Sequence, residues 1–418
     1  MRILLCEFKK IWSLKVIGIL LLLCAMFYVA FLSFYIEHYP NNHNSSAQLA
    51  YSAMLVERYG NTIEPDELEE FWQVLDALII EADSFIAENP HLAEIGVHDY
   101  ASLVQMNETL SARYDELTET ELEAFETLHS EFYNIPYSNL PTNRKLTASN
   151  PEINTVGNNL HAIEGIFARY ETVLDPSVLL ELGAVPNLPG TNAVRKRHAE
   201  MVRSDEYKSI IPNEPIRYTV DYTKNLALLV IIATLLLLSP LLTTDRIRNV
   251  HLLQYSSHQG RKIIKKQLAA VLVSSLVLTS GLVLGFGAIY AANGVQFFFE
   301  SYVSSFNSFF GVSIPLTFGQ YVWVLVGLLY LLGLGTALLA FILSRFCSNY
   351  IALVAGLIPS AVALSFLSNE VLFQQPLSYF FNETGLRFFE PLVCVVLIAL
   401  GTAVVVCVVR REGKVDVL

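Results

Sequence analysis

Charge is scarce in this chain. Only 16% of its 418 residues are Asp, Glu, Lys or Arg, where a soluble domain carries roughly a quarter. Cysteine is scarce as well. Cys6, Cys24, Cys347, Cys394 and Cys407 are the five, and none falls between residues 36 and 224, which excludes a disulfide framework for that stretch. The pattern G-x-x-x-x-G-K-[ST] is missing, which excludes a P-loop nucleotide site in this chain. No Ser-His-Asp arrangement and no zinc-ligand spacing stands out, so no catalytic residue and no metal ligand is assigned.

What is present is apolar sequence in long runs. Six of them cover residues 16–35, 226–242, 268–292, 321–343, 351–367 and 391–409. Runs of about 17–25 residues are long enough to cross a bilayer core. A crossing segment must satisfy its own backbone hydrogen bonds and is therefore helical. The expectation is an all-α membrane protein with six transmembrane helices and a large, mostly helical extracellular domain inserted between spans 1 and 2. The fifth run is short and holds Pro359; a four-span reading would need runs four and five not to cross. The first run is too long for a signal-peptide core and is expected to be retained.

The scarce positive charge is distributed unevenly. Arg2, Lys9, Lys10 and Lys15 precede the first run. Arg246, Arg248, Arg261, Lys262, Lys265 and Lys266 separate runs two and three. Arg345 follows run four, and Arg410, Arg411 and Lys414 follow run six. With six crossings these segments share one side, which the positive-inside rule makes cytoplasmic, termini included. The stretch 36–224 then lies outside. It holds 31 of the 39 acidic residues and 12 of the 27 basic ones, and such an acidic surface stays solvated and is not drawn to anionic headgroups. The expected division is an interfacial helix over 1–15, span 1 over 16–35, the extracellular domain over 36–224, and a membrane domain with spans 2–6 over 225–418.

The insert reads as helical. In "EPDELEEFWQVLDALIIEADSFIAENP", Phe71, Leu75, Leu78, Ala82 and Phe85 form one apolar stripe. Pro65 and acids stand at its start, and Asn89-Pro90 ends it. Further helices are expected across "DYASLVQMNETLSARYDEL", "ETELEAFETLHSEFYN", "NPEINTVGNNLHAIEGIFARYETVL" and "TNAVRKRHAEMVRSDEYKS". "IIPNEPIRYTVDY" is expected to run extended into span 2, with Pro212 and Pro215 opposing helix. Before span 1, "MRILLCEFKKIW" places Leu4, Phe8 and Ile11 on one face, beside Leu5 and Trp12. It is expected to lie in the membrane interface, with Phe8, Lys9, Lys10 and Trp12 as interface residues.

No Asp, Glu, Lys, Arg or His lies in the central part of any span. That argues against an ion channel or proton-driven carrier, which usually need such groups, and is compatible with an amphipathic substrate. In span 3, Ser274, Leu278, Gly281, Gly285, Ala288 and Ala292 share a face whose small residues allow close helix approach.

The segment "DRIRNVHLLQYSSHQGRKIIKKQ", residues 245–267, has more than anchoring charge. Asp245 can cap a short helix through "RIRNVHLLQY", with Ile247, Val250 and Leu253 apolar. Gly260 breaks it, and Arg261 opens the approach to span 3. Here the chain resembles the membrane subunit, or permease, of type-2 ABC exporters. Those permeases carry an acidic residue after span 2, usually Glu where this chain has Asp245, then a short coupling helix and a Gly-Arg step. The resemblance covers the interfacial helix, the six spans and the segment between spans 5 and 6, where "SNEVLFQQPLSYFFNETGLRFFE" would dip back into the outer leaflet. It does not cover the insert.

The resemblance implies a coupling helix at 246–255. Asp245, Arg246, Ile247, Val250, Leu253, Gly260 and Arg261 would then take force from a cytoplasmic ABC ATPase, with ATP and Mg bound on that partner and no cofactor in this chain. It implies a second permease, like or unlike this one, membrane lipid as surroundings, and no nucleic-acid partner. Two other readings remain open: a four-span mechanotransmitting ABC membrane protein, and a surface sensor or receptor without transport.

Overall fold

The computed structural model describes residues 2–37, 39, 43–60, 64, 66–132, 155–174, 192–204, 211–248, 250, 260–306, 314–347, 349–373 and 384–412. Among these, every regular element is a helix, and β pairing is confined to the isolated bridges Ile211–Phe306 and Tyr302–Thr317. Six helices have the length and hydropathy to cross a membrane, as the apolar runs predict.

Helix α1 (Arg2–Ile11) precedes α2 (Leu14–Phe27), which continues through a π-helical turn at Tyr28–Leu32. A lobe of helices follows: α3 (His43–Tyr59), α4 (Glu69–Glu88), α5 (Tyr100–Ser111), α6 (Glu119–Phe132) and α7 (Val156–Leu174). Helix α8 (Asn192–Arg203) comes next and packs Ala193 and Met201 against the core of the membrane part. The remaining spans are α9 (Glu214–Leu238) with its continuation α10 (Pro240–Ile247), α11 (Gly260–Ala291), α12 (Phe318–Phe346), α13 (Tyr350–Leu367) and α14 (Phe389–Glu412).

Helix α9 is the axis of the membrane part. It packs against α2, α11, α12 and α13, and most of its surface is buried, whereas α2, α13 and α14 leave most of theirs exposed. A helix that is apolar all round suits that central place. Its start differs from expectation. The helix begins at Glu214 with Pro215 in its first turn, so the stretch before run two is not extended. The missing N–H of proline costs nothing where first-turn N–H groups have no intrahelical acceptor.

The crossing of α11 and α12 is close, but not at the expected face. Ser275 Oγ donates to the Gly333 carbonyl at 2.9 Å, and a Cβ on Gly333 would lie 2.6 Å from Thr279 Oγ1. Ser274 and Leu278 are buried, while Gly281, Gly285, Ala288 and Ala292 are exposed, and the two glycines have open space beside them. The small residue that lets the two backbones approach belongs to span 4.

Between α11 and α12 the chain folds onto itself. Val303 N donates to Leu316 O (2.9 Å), Phe318 N to Ser301 O (2.8 Å) and Gly319 N to Phe299 O (2.9 Å), which buries Phe298, Phe306 and Phe318 as edge-packed rings. Tyrosines gather the nearby ends of spans 1, 2 and 3. Tyr222 stacks on Tyr290 at 4.4 Å, and Tyr35 and Tyr39 meet Tyr218 edge-on at 5.9 and 5.6 Å.

The lobe has its own core. Leu75, Leu78 and Ala82 are buried as the stripe predicts, joined by Ile86, with Phe85 half-buried. The Phe71 side chain and Pro65 lie outside the described residues. Helix α4 ends where expected. Asn89 caps the short Pro90–Glu94 helix by accepting from His91 N (3.0 Å) and Leu92 N (3.3 Å). Asp99 and Ser102 form a capping box at the start of α5. In α6, Leu128 and Phe132 are buried while Leu122 faces solvent.

Helix α3 serves both cores. Ala47, Tyr51 and Leu55 pack into the lobe, with Tyr51 donating to Asn159 Oδ1 at 3.1 Å, while Leu49 and Ala53 join the core of the membrane part. Spacing by four places each set on its own face.

Candidate functional site

The resemblance points to the place where span 2 ends, and there the structure holds a polar junction. The helix of span 2 breaks at Ser239-Pro240, and α10 runs on from it. The N–H groups in the first turn of a new helix lack intrahelical acceptors. Here Ser344 Oγ of α12 accepts two of them, from Leu242 at 2.9 Å and Thr243 at 3.1 Å, and Thr243 Oγ1 donates to the Ser344 carbonyl at 3.2 Å. Thr244 Oγ1 meets Tyr350 Oη at 3.0 Å, and Arg246 donates to the Cys347 carbonyl at 3.4 Å. The end of span 2 is thereby fixed to the end of span 4 and the start of span 5.

Asp245 is central to this arrangement, in a different role from the expected one. It does not cap a new helix; it lies inside α10, and its residue is 7% exposed. Its carboxylate accepts from Gln267 Nε2 of α11 at 3.2 Å and from Lys10 Nζ of α1 at 3.4 Å. Lys10 also donates to Glu7 at 3.1 Å. One ammonium is shared between two buried carboxylates, one of them 235 positions away in sequence. Burial alone would lower the pKa of Lys10, but the Glu7 and Asp245 carboxylates outweigh it and hold the ammonium above its ordinary value.

The residues expected at the membrane interface therefore divide. The Lys9 side chain is exposed. Lys10 instead points into the junction. Trp12 is half-buried and donates Nε1–H to Ser274 Oγ of α11 at 3.1 Å, with its ring 5.9 Å from that of Phe8. Helix α1 buries Ile11 and packs along α11, so part of its apolar stripe meets protein.

Of the expected coupling helix, Arg246 and Ile247 form the last turn of α10, with Ile247 exposed. Val250 is helical and half-buried; residue 249 and residues 251–259, Leu253 among them, lie outside the described residues. Gly260 and Arg261 begin α11, so the basic stretch opens the helix of span 3 as expected, and the Arg261 side chain is not among those described. The segment 374–383, much of the expected outer-leaflet dip, also lies outside them.

Three residues of the site carry only a weak signal in sequence. Glu7 stands three residues before Lys10, Gln267 closes the basic stretch, and Ser344 is one of several small polar residues at apolar runs. Away from this junction, Glu390 opens α14. It is 2% exposed, and its Oε2 has no hydrogen-bond partner among the described residues. One turn further along α14, Cys394 lines an apolar cavity of about 430 Å³ among α12, α13 and α14, shared with Leu332, Leu364, Leu367 and Leu372. No group of three or more His, Cys, Asp or Glu able to hold a metal occurs among the described residues.

The fold and this junction define a class: an all-helical protein with six helices fit to cross a membrane, a multi-pass membrane protein. Comparison with family models, with characterised proteins and with solved structures finds no match.

Proposed function

We propose that the chain is the permease subunit of a bacterial ABC exporter. It would move an amphipathic or hydrophobic substrate (peptide, lipid or drug) outward, using ATP hydrolysis by a separate cytoplasmic ATPase subunit, in a complex with a second permease. The observation that carries this reading is the junction at Asp245. A coupling helix transmits force only if its root is stiff, and here the root is tied by side-chain hydrogen bonds to α1, α11, α12 and α13 at once. A stretch serving only to fix topology needs its charges in water and no buried carboxylate. The spans support an amphipathic substrate, because their charge-poor interior suits no hydrated ion, and a cavity of about 430 Å³ has the size of a small-ligand pocket. In this reading the basic helix ends and both termini are cytoplasmic and the lobe is extracellular.

The test is co-expression with candidate ABC ATPase subunits, followed by purification through a tag on this chain. A bound ATPase whose hydrolysis depends on the chain is expected, and replacing residues 249–255 with a Gly/Ser linker should abolish both binding and stimulation. A chain that purifies alone beside every candidate would sink the proposal. If the linker variant kept its biological activity, a surface receptor would be the better reading.

A further inference from the structure

Two buried polar atoms stand at one end of the cavity among α12, α13 and α14 without a partner. Glu390 Oε2 lies in the first turn of α14. Ser368 Oγ opens the π-helical turn Ser368–Leu372 that follows α13. Neither makes a hydrogen bond among the described residues, and their residues are 2% and 1% exposed. Both belong to elements that line the cavity. On α14 the lining residues Cys394, Leu397 and Gly401 form one stripe, and Glu390 continues it by one turn, about 6 Å beyond Cys394. Leu367 and Leu372, on either side of Ser368, line the cavity as well, and the turn between them packs on α14.

The remaining polar groups of the lining need nothing. The Thr336 and Ser360 hydroxyls donate to the Leu332 and Gly356 carbonyls of their own helices. Glu390 differs. Buried polar groups are nearly always paired, and a buried carboxylate without a counter-charge is costly. Among the described residues no cation pairs with it. A primary ammonium has three N–H donors, enough for Glu390 Oε2 and Ser368 Oγ together. An acyl chain alone would leave both atoms unpaired. An inorganic cation would give up its hydration and leave the apolar walls bare. Ala363 and Leu397 line the cavity and are exposed, so a molecule can enter sideways from the bilayer.

We propose that this cavity binds a cationic amphiphile, an apolar body carrying a primary amine, with the ammonium at Glu390 and Ser368 and the apolar part between α12, α13 and α14. That such a molecule is what the chain moves rests on the exporter reading; the binding itself does not.

The experiment uses the full chain in phosphatidylcholine nanodiscs, with empty nanodiscs as the partition background. It is titrated with monodansylcadaverine, a fluorescent apolar body on a primary-amine arm, and with the N-acetyl derivative, which keeps the body and loses the charge. Wild type should bind the amine roughly ten-fold more tightly than the acetyl derivative, the effect of one hydrogen bond to a charged group. Glu390→Gln should remove that preference and leave binding of the acetyl derivative unchanged. Ser368→Ala should weaken the amine about five-fold. Glu370→Gln takes the same charge from an exposed residue of the same turn, and should change nothing. Ala363→Phe should weaken both probes by filling the cavity at its open side. Should Glu390→Gln fail to fold, Ser368→Ala with the two probes carries the test. Equal binding of the probes by wild type, an unchanged preference in Glu390→Gln, or an equal loss in Glu370→Gln would each overturn the site. Recovery of an ATPase is read separately. A chain that binds the amine but no ATPase sinks the exporter reading alone, and a chain that binds an ATPase but is indifferent to the amine sinks this site alone.

Discussion

Lys10 is the residue on which the junction turns. Removing it leaves Glu7 and Asp245 buried without their shared cation. Breaking a fully buried pair costs about 3–5 kcal/mol. The Lys10 side chain is 43% exposed, so solvent screening reduces this to about 1–2 kcal/mol. Lys10→Ala should therefore speed amide exchange in α1 by roughly ten-fold. Lys9→Ala, on the exposed face, should change nothing. Adding Glu7→Gln and Asp245→Asn to Lys10→Ala should recover much of the loss, because no uncompensated charge then remains. The pH dependence has a definite sign. A lysine whose folded value is raised contributes fully below its ordinary 10.5 and loses that contribution as pH rises through the raised value. Between neutrality and about pH 10, the ionisation of Lys10 should leave α1 docking untouched, with weakening only beyond, and Lys10→Ala should lack that weakening. Hydrogen exchange followed by mass spectrometry reads all of these, and equal protection of α1 in wild type and Lys10→Ala would refute the role.

Ser344 sets the geometry between elements. It supplies an acceptor for two N–H groups near the start of α10, and without it both lose that buried bond. Ser344→Ala should cost about 1–3 kcal/mol, read as a lower melting temperature in detergent. Pro240→Ala in the same chain should return part of it by letting α9 and α10 form one continuous ladder. The two changes are thus expected to be non-additive. An unchanged melting temperature for Ser344→Ala would mean that α10 is not held there. The elements themselves are largely legible in sequence. Apolar length marks a span, and the Leu75, Leu78, Ala82 stripe and the Asn89-Pro90 stop mark α4, because these signals are local. Pro215 is ambiguous, since a proline in the first turn of a helix looks the same in sequence as one that blocks it. The junction is hidden for a different reason. Lys10, Asp245, Gln267 and Ser344 are brought together only by the packing of α1, α10, α11 and α12, and an acid whose partner lies 235 positions away reads in sequence as a helix cap. Gly333 is silent for the same reason, since its importance comes from Thr279 on another helix.

For the whole molecule the deciding property is how charge is divided. The lobe and its flanks carry most of the acids, while the helix ends at α1, α10, α12 and α14 carry Lys10, Arg246, Arg345, Arg410 and Arg411. Six crossings put all four of those ends on one side of the membrane and the lobe on the other. Four crossings that leave out α12 and α13 would do the same for α1, α10 and α14, so the two arrangements differ only at the turns around α13. With six, residue 346 shares the side of α1 and residue 384 shares the side of the lobe; with four, 346 and 384 are on one side together. Single cysteines in place of the exposed Ser111, Phe346, Thr384 and Arg410, in a chain otherwise free of cysteine, report this through a membrane-impermeant maleimide. On intact cells, positions 111 and 384 should react, and 346 and 410 should react only after permeabilisation. Equal labelling of 346 and 384 would remove two spans. A reversed pattern, with 346 and 410 reactive from outside, would place the Asp245 junction on the wrong side for any cytoplasmic ATPase, and the exporter reading would fall with it.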